Sequence, residues 1–493
     1  MEVLKVQIRE AESVSRSAHK ELTPARVHLK DAHGKLYYPD GCVPYKKDGH
    51  FTTDGEFEVS LPEGKVSILV EKGKEYRSIS GELVIRKNED QNVDCELYRW
   101  INMPELGWYS GDLHIHRPLD DMAHLVLAED LNAAPDITVW NQQNEWIGKD
   151  IPENRVVEVD ETHAYGILVQ EDERGGGAVM VMDPDAPIDL NPTYRWYPAN
   201  FAYCRAAHEK GFIVDQEKPF WWETPVNIAL GGVDTLGIVN NHMQRESIMD
   251  NEAWGKPRDM ELYPGPQGFV HNVLDLYYRY LNLGLKLPIS AGSASGVLKN
   301  PLGYNRLYVH LGHSFSYDRW LRGMKAGMAF ATNGPMLFFS IDRCELGSTL
   351  EATAGQKFHG KASLNAMSQT ELDRAEILYN GEIIHEFSSG GSSELTQEFD
   401  ISLDSSGWVA ARVFEKNKKT VRFAHTNPIY IEIGGPMKPR KDAAQYYLRW
   451  CQELLSASLA EKDRYVTNQH RVEVESLYRQ ATTFYRNLMA SAE

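Results

Sequence analysis

The chain has 493 residues, 42% of them hydrophobic and 25% charged, the proportions of a globular protein. That length is too great for one ordinary core and should divide into roughly three or four units of domain size. A formal charge of -18, from 70 acids against 52 bases, argues against a nucleic-acid or anionic-membrane surface, and no apolar run approaches the roughly 18 to 20 residues that span a bilayer.

The opening MEVLKVQIREAESVSR lacks the apolar centre of a secretory signal. It reads as the start of a cytoplasmic chain, or of a periplasmic or secreted one whose leader has been removed. From about residue 20 to 98, Phe57, Val59 and Leu61, then Val66, Ile68 and Val70, recur with period two between glycine turns, the mark of strands buried on one face. Residues 1–103 therefore read as a β-sandwich that packs or docks rather than catalyses. Over 104–335 strand-like stretches (ITVWN, GAVMVM, DTLGIVNN, LPISAGS) alternate with helical ones starting at Met122, Asn200 and Phe269. Strand then helix, repeated, implies a parallel sheet, and several repeats can close into a barrel whose chemistry sits where strands end. Residues 336–435 turn strand-rich again, with a hairpin signal at Asn380-Gly381, and read as a second β-sandwich. In the helical tail 436–493, Tyr447, Trp450, Cys451, Leu454 and Leu455 share one face, and Leu477, Ala481, Phe484 and Leu488 repeat the pattern. Such a pair packs on a neighbouring domain or on another copy of the chain. The five cysteines (Cys42, Cys95, Cys204, Cys344, Cys451) are dispersed without a Cys-x-x-Cys pair, which argues against a disulfide framework or a zinc knuckle.

Chemistry concentrates at SGDLHIHR, residues 110–117. In a strand, residues two apart point the same way, so Asp112, His114 and His116 share one side and Leu113 and Ile115 the other. Two imidazoles so placed can reach one divalent ion, and Asp112 can orient a histidine from behind. A hydrogen-bonded pair of barrel histidines is the plainer alternative. No Gly-x-Gly-x-x-Gly or Gly-Lys-Ser/Thr loop and no Ser-His-Asp arrangement is present.

GWYSGDLHIHRP followed by AEDLN resembles the start of the PHP-type metallohydrolases, in the branch that hydrolyses carbaryl and other carbamates or amides. The likeness continues through QEDERGGGAVMV, VDTLGIVNNHMQR, YLNLGLKLPISAGSASG and PLGYNRLYVHL, over about 107 to 335. It implies a distorted (β/α)7 barrel, one to three divalent metals at its carboxyl end, and a metal-activated water attacking an ester or amide. Matched residue by residue, His114 and His116 correspond to the opening metal pair and Glu171 to a carboxylate that holds or bridges metals. His242, ending another strand, is the remaining ligand candidate, or a histidine that merely faces the surface. The chain departs from the family where it carries Gly292-Ser293-Ala294-Ser295-Gly296 in place of a terminal Asp motif, Asp215, Glu217 and Lys218 near a missing histidine, and Glu173 where a histidine often follows the bridging carboxylate. One tightly held metal fits these departures better than a cluster.

Glu217 is then a candidate proton carrier, and Lys218, Arg174 or Arg306 a clamp for substrate or oxyanion, although each cation could equally serve a structural ion pair. Arg117 is a further arginine of that kind. Aromatics crowd the same loops (Trp108, Tyr109, Trp140, Trp146, Trp196, Tyr197), and Trp221 and Trp222 are the strongest candidates for pocket walls around an aryl or glycosyl ligand. The leading expectation is a multi-domain α/β metal-dependent hydrolase acting on a small-molecule or carbohydrate substrate: an ester, amide, carbamate, phosphoester or glycan derivative. Zinc comes before manganese, iron or calcium as its metal. A binding protein on a degenerate hydrolase scaffold and a metal-dependent lyase are the alternatives.

Overall fold

The period-two runs at Phe57–Leu61 and Val66–Val70 do form strands, Glu56–Leu61 and Gly64–Glu71, but in two different sheets. In the computed structural model, which describes residues 2–11, 21–417 and 419–492, the first strand joins a three-stranded sheet and the second a five-stranded one. Residues 1 and 12–16 of the opening stretch lie outside the described residues. Leu4, Val6, Ile8 and Phe57 from one sheet meet Val27, Leu29, Ile68 and Val70 from the other in a core of their own. The fold as a whole is mixed α/β and β-rich, with several sheets and seven α-helices among the described residues.

The middle of the chain is held by a run of pairings. Strand Ala133–Trp140 lies parallel to Ala164–Arg174, which is antiparallel to Gly177–Met182, itself antiparallel to Ile213–Gln216. Ile213–Gln216 is parallel to Thr235–Val239, and that strand to Ile289–Ala291. Residues 112–116 extend the strand Trp108–Gly111 between Ala133–Trp140 and Ile289–Ala291: Ile115 bridges both Asp136 and Ser295, and Leu113 N–H donates to Ala291 O at 3.1 Å. The helices sit where expected, at Leu119–Ala128, Asn200–Glu209 and Gly265–Leu281. The first begins three residues before Met122 and stops before Glu129. Asp130, at φ 49, turns the chain away there.

Toward the C-terminus a three-stranded sheet packs on a second sheet whose strand Phe423–Thr426 pairs with Ala329–Thr332, so one ladder runs from the middle of the chain into its strand-rich part. The Asn380-Gly381 hairpin forms as its residues require, both at positive φ (55° and 90°). The tail forms helices Lys441–Ala460 and Asn468–Ala490, docked on the same chain. Tyr447 OH donates to Leu276 O (2.5 Å), Trp450 Nε1 to Trp222 O (3.1 Å) and Tyr485 OH to Pro225 O (2.7 Å). The second helix corrects the expected stripe. Val474, Tyr478, Ala481 and Tyr485 are its buried seam, while Leu477, Phe484 and Leu488 flank it half-buried. The two tyrosines win the seam because each pairs a large apolar ring with a hydroxyl that finds a buried acceptor.

Candidate metal centre

His114 and His116 are turned to one side because Leu113 and Ile115 are fully buried on the other, in separate apolar clusters. Neighbouring chain clamps the segment: His116 N–H donates to Ser295 O (2.7 Å) and Ile137 N–H to Ile115 O (2.8 Å). The loop 292–296 presses so closely that glycine is required twice. A Cβ on Gly292 would stand 2.5 Å from His114 Cβ, and one on Gly296 (φ +103) 1.8 Å from His116 O. Asp112 does not reach an imidazole. Its carboxylate accepts the backbone N–H groups of His114 (3.1 Å), Ser293 (2.9 Å) and Gly303 (2.8 Å), which fixes strand and loop together.

Glu171 enters from the strand Ala164–Arg174, where it pairs in register with Trp140. His114 Nε2 and His116 Nε2 are 3.0 Å apart; Glu171 Oε2 is 3.3 Å from His116 Nε2, and Oε1 is 3.8 Å from His114 Nε2. Both Glu171 oxygens are buried and accept no hydrogen bond. A buried carboxylate without a donor is costly, and two imidazole nitrogens facing each other beside it form the donor set of a divalent cation. The residues present therefore fit a metal, with His114, His116 and Glu171 as its holders.

Behind them lies a second ring of partners. Glu217 Oε1 is 2.9 Å from His114 Nδ1, accepts from Lys218 Nζ and, at 3.2 Å, from Asn241 Nδ2, while Oε2 accepts from Trp221 Nε1 at 3.0 Å. Burial works to raise the Glu217 pKa, but Lys218 and His114 outweigh it and hold the carboxyl well below its usual range. Where the sequence suggested a proton carrier, Glu217 stands as an anion engaged by Lys218, Trp221 and Asn241, with its charge beside the His114 ring. Burial opposes a charged His114 as well, yet Glu217 and Glu171 push it up to about 9. Burial, with the neighbouring Glu171 and Glu217, pushes half-buried Glu173 up to about 7, and Trp140 Nε1 donates to its Oε2 at 2.9 Å. Asp215 holds strand ends together, accepting from Thr235 Oγ1 (2.6 Å) and Ser290 Oγ. Burial raises it to about 6 against those hydroxyls.

Other expected members stand elsewhere. His242 is outside the group of ligand atoms lying within 4.8 Å of one another. Its Nδ1–H donates to Asn251 O (2.8 Å), its ring stacks on Phe269 (5.5 Å), and burial with the Lys218 charge lowers it to about 4. Arg174 grips Asp172 with two bonds (2.6 and 2.8 Å) and donates to Tyr194 O and Pro198 O. Arg306, fully buried, spends its guanidinium on the carbonyls of Gly303, Asp130 and Glu129. Neither arginine joins the cluster, because main-chain carbonyls or an adjacent acid saturate it first. Arg117 lies over Tyr45, 4.5 Å from the ring centre.

Among the aromatics, Trp140 stands against His116 (4.8 Å) and Trp221 covers Lys218 (4.6 Å), stacking in turn on Trp254. Trp222 faces the helical tail instead, edge-on to Trp450. Trp254, missed in the sequence, stacks from a distant loop and no local motif marks it. A second grouping, His28, Asp48 and His50, also brings ligand atoms together. There Arg245 Nη1 stands 3.2 Å from His28 Nε2, and a guanidinium at that point repels a cation. No protein-family model, curated protein or solved structure matches the chain.

Proposed function

We propose that the protein is a metal-dependent hydrolase of small esters, amides or carbamates, in keeping with the PHP-type resemblance of its middle segment. The observation that carries this reading is the Glu171 carboxylate, buried with both oxygens free of hydrogen bonds beside two imidazole Nε2 atoms. Two histidines and one carboxylate leave open coordination positions, the pattern of hydrolytic rather than structural zinc. A zinc-type cation held there supplies Lewis-acid polarisation and acidification of water.

The chain's own groups do the rest. Glu217, 2.9 Å from His114 Nδ1, supplies the negative charge that favours a proton on that nitrogen, and a cation at the centre would take the Nε2 side of the ring. Lys218 balances the Glu217 charge, and with Glu217 engaged, half-buried Glu173 is the carboxyl left to carry a proton. The Trp140 face beside His116 suits an apolar or aryl part of the substrate. The pairings around residues 112–116 support a seven-stranded barrel of the PHP kind, because each strand from 112–116 to 289–291 has a partner on both sides.

Elemental analysis of the purified full chain, paired with hydrolysis of an aryl ester and carbamate panel, tests the reading. We expect stoichiometric zinc, manganese or iron, and loss of both metal and turnover in His114→Ala. A metal-free wild-type protein that gains no activity on metal addition, or unimpaired turnover in the variant, would overturn it.

A further inference from the structure

Where the N-terminal sandwich, the middle segment and the C-terminal sheets meet, they enclose a cavity of about 370 Å³, away from the His114–His116–Glu171 centre and sharing none of its residues. Its charge is the reverse of the chain's. Six cations line it, Arg26, Lys74, Arg77, Arg245, Arg306 and Arg422, against three carboxylates, Glu71, Glu129 and Glu415. Counted by residue type, this is a formal local excess of three positive charges in a chain of formal charge -18.

The pairing within the wall shows which cations remain uncompensated. Arg26 binds Glu129 (2.7 Å) and, with Arg245 (2.8 Å), Glu71. Those four groups neutralise one another. Arg306 donates to main-chain carbonyls and to Ser110 Oγ (3.5 Å), and Lys74 Nζ donates to Asn333 O (2.8 Å) above the Tyr304 ring (4.6 Å). Arg422 stands 3.9 Å from Glu415, too far for a close pair, and its Nε is buried without a partner, as is Glu415 Oε2. Glu415 Oε1 accepts from Ser368 Oγ at 2.6 Å. Behind the wall Glu75 is taken by Arg99 (2.9 Å), while Asp48 and Glu246 each lie 3.9 Å from Arg245. Burial, with the charges of Arg306 and Arg422, presses the Lys74 pKa well down, as expected of a cation among cations. Gly73, at φ +51, lets this wall close: a Cβ there would stand 2.2 Å from Glu129 O and 2.9 Å from the Arg306 guanidinium.

Gathering guanidinium and ammonium groups without counter-charge is costly unless an anion completes them. Arginines beside a lysine provide the forked and point-charge donors that suit phosphate oxygens. The volume falls within the roughly 300–1,000 Å³ of small-molecule sites. We propose that this junction cavity binds a phosphate-bearing small molecule, independently of the metal centre. Exposed Arg77 stands at its rim, and Lys74, Arg306 and Arg422 form its floor.

Titration calorimetry of the full chain with inorganic phosphate at constant ionic strength tests this, with chloride and citrate as comparison anions. We expect one saturable site with Kd below about 1 mM. Arg422→Gln should weaken it about tenfold, and Arg77→Gln, at an exposed position of the rim, should weaken it by a smaller factor. His114→Ala should bind phosphate as the wild type does. The proposal is overturned by heats no larger than those of chloride, by tighter binding of citrate, by unchanged affinity in both arginine variants, or by loss of binding in His114→Ala, which would place the anion at the metal centre.

Discussion

Replacing Glu171 with glutamine should change the sign of its effect with metal loading. Without metal, the wild-type carboxylate is buried and accepts no hydrogen bond, so a neutral amide of the same shape removes a desolvation cost of about 1–3 kcal/mol, against which the carboxylate's attraction for the His114 ring is lost. A cooperative unit of roughly 230 residues unfolds with an entropy of about 0.5 kcal/mol per kelvin, so the stripped variant should melt above the stripped wild type by at most about 2–6 °C. With zinc at a hundred times its Kd, the wild type gains about 2.7 kcal/mol, or about 5 °C, while the amide is a poor ligand and the variant should gain little. Calorimetric scans of both proteins, stripped with chelator and then zinc-loaded, give four melting temperatures whose order should invert. A stripped variant that melts several degrees lower, together with an undiminished zinc shift, would mean that Glu171 is a structural group and that the metal is held elsewhere.

Three further outcomes follow from the same structure. Gly292→Ala forces a methyl to within 2.5 Å of His114 Cβ, so it should displace that imidazole and reduce zinc content at least tenfold, read by elemental analysis, while the far-ultraviolet spectrum stays unchanged. Tyr478→Phe leaves the buried Glu223 Oε1 without the hydroxyl that donates to it at 2.5 Å; it should cost about 1–3 kcal/mol in denaturant unfolding and speed hydrogen exchange in the tail helices, and equal exchange would count against the docked tail. His425 is fully buried and neutral, its Nδ1–H donating to Thr426 O (2.7 Å) and its Nε2 accepting from Tyr278 OH (2.8 Å); burial, with the Arg412 charge, lowers it to about 3. The unfolded chain takes up that proton near pH 6.5 and the folded chain not until about 3, so stability is present above 6.5 and falls as pH drops between these values, by at most on the order of 5 kcal/mol. His425→Gln should therefore show a flatter dependence of Tm on pH from 6.5 down to 4, and parallel profiles would exclude this account.

Much of the candidate site was readable because it depends on local period. Spacing of two residues sent His114 and His116 to one side as soon as Leu113 and Ile115 were buried on the other, and the apolar run before QEDER placed Glu171 on a strand. Glu217, Lys218, Arg174 and Arg306 were recognisable as charged groups near strand ends, yet their roles depended on which partner reached them first. Arg174 met Asp172 two residues away, Arg306 met three carbonyls, and Glu217 met Lys218 and Trp221 in its own segment and Asn241 from another. A sequence lists donors and acceptors without saying which pairs close.

The sequence by itself determined the local elements: alternating strands, the Asn380-Gly381 turn, amphipathic helices and the paired imidazoles, all set by side-chain period and backbone preference over a few residues. Only the tertiary structure decided that Glu171, some 55 residues on, faces those imidazoles without a hydrogen bond, that the tail's tyrosines form its buried seam, and that uncompensated cations from three parts of the chain line one cavity. Those outcomes are competitions among distant groups for the same partners and the same burial, and they are settled when the chain closes on itself.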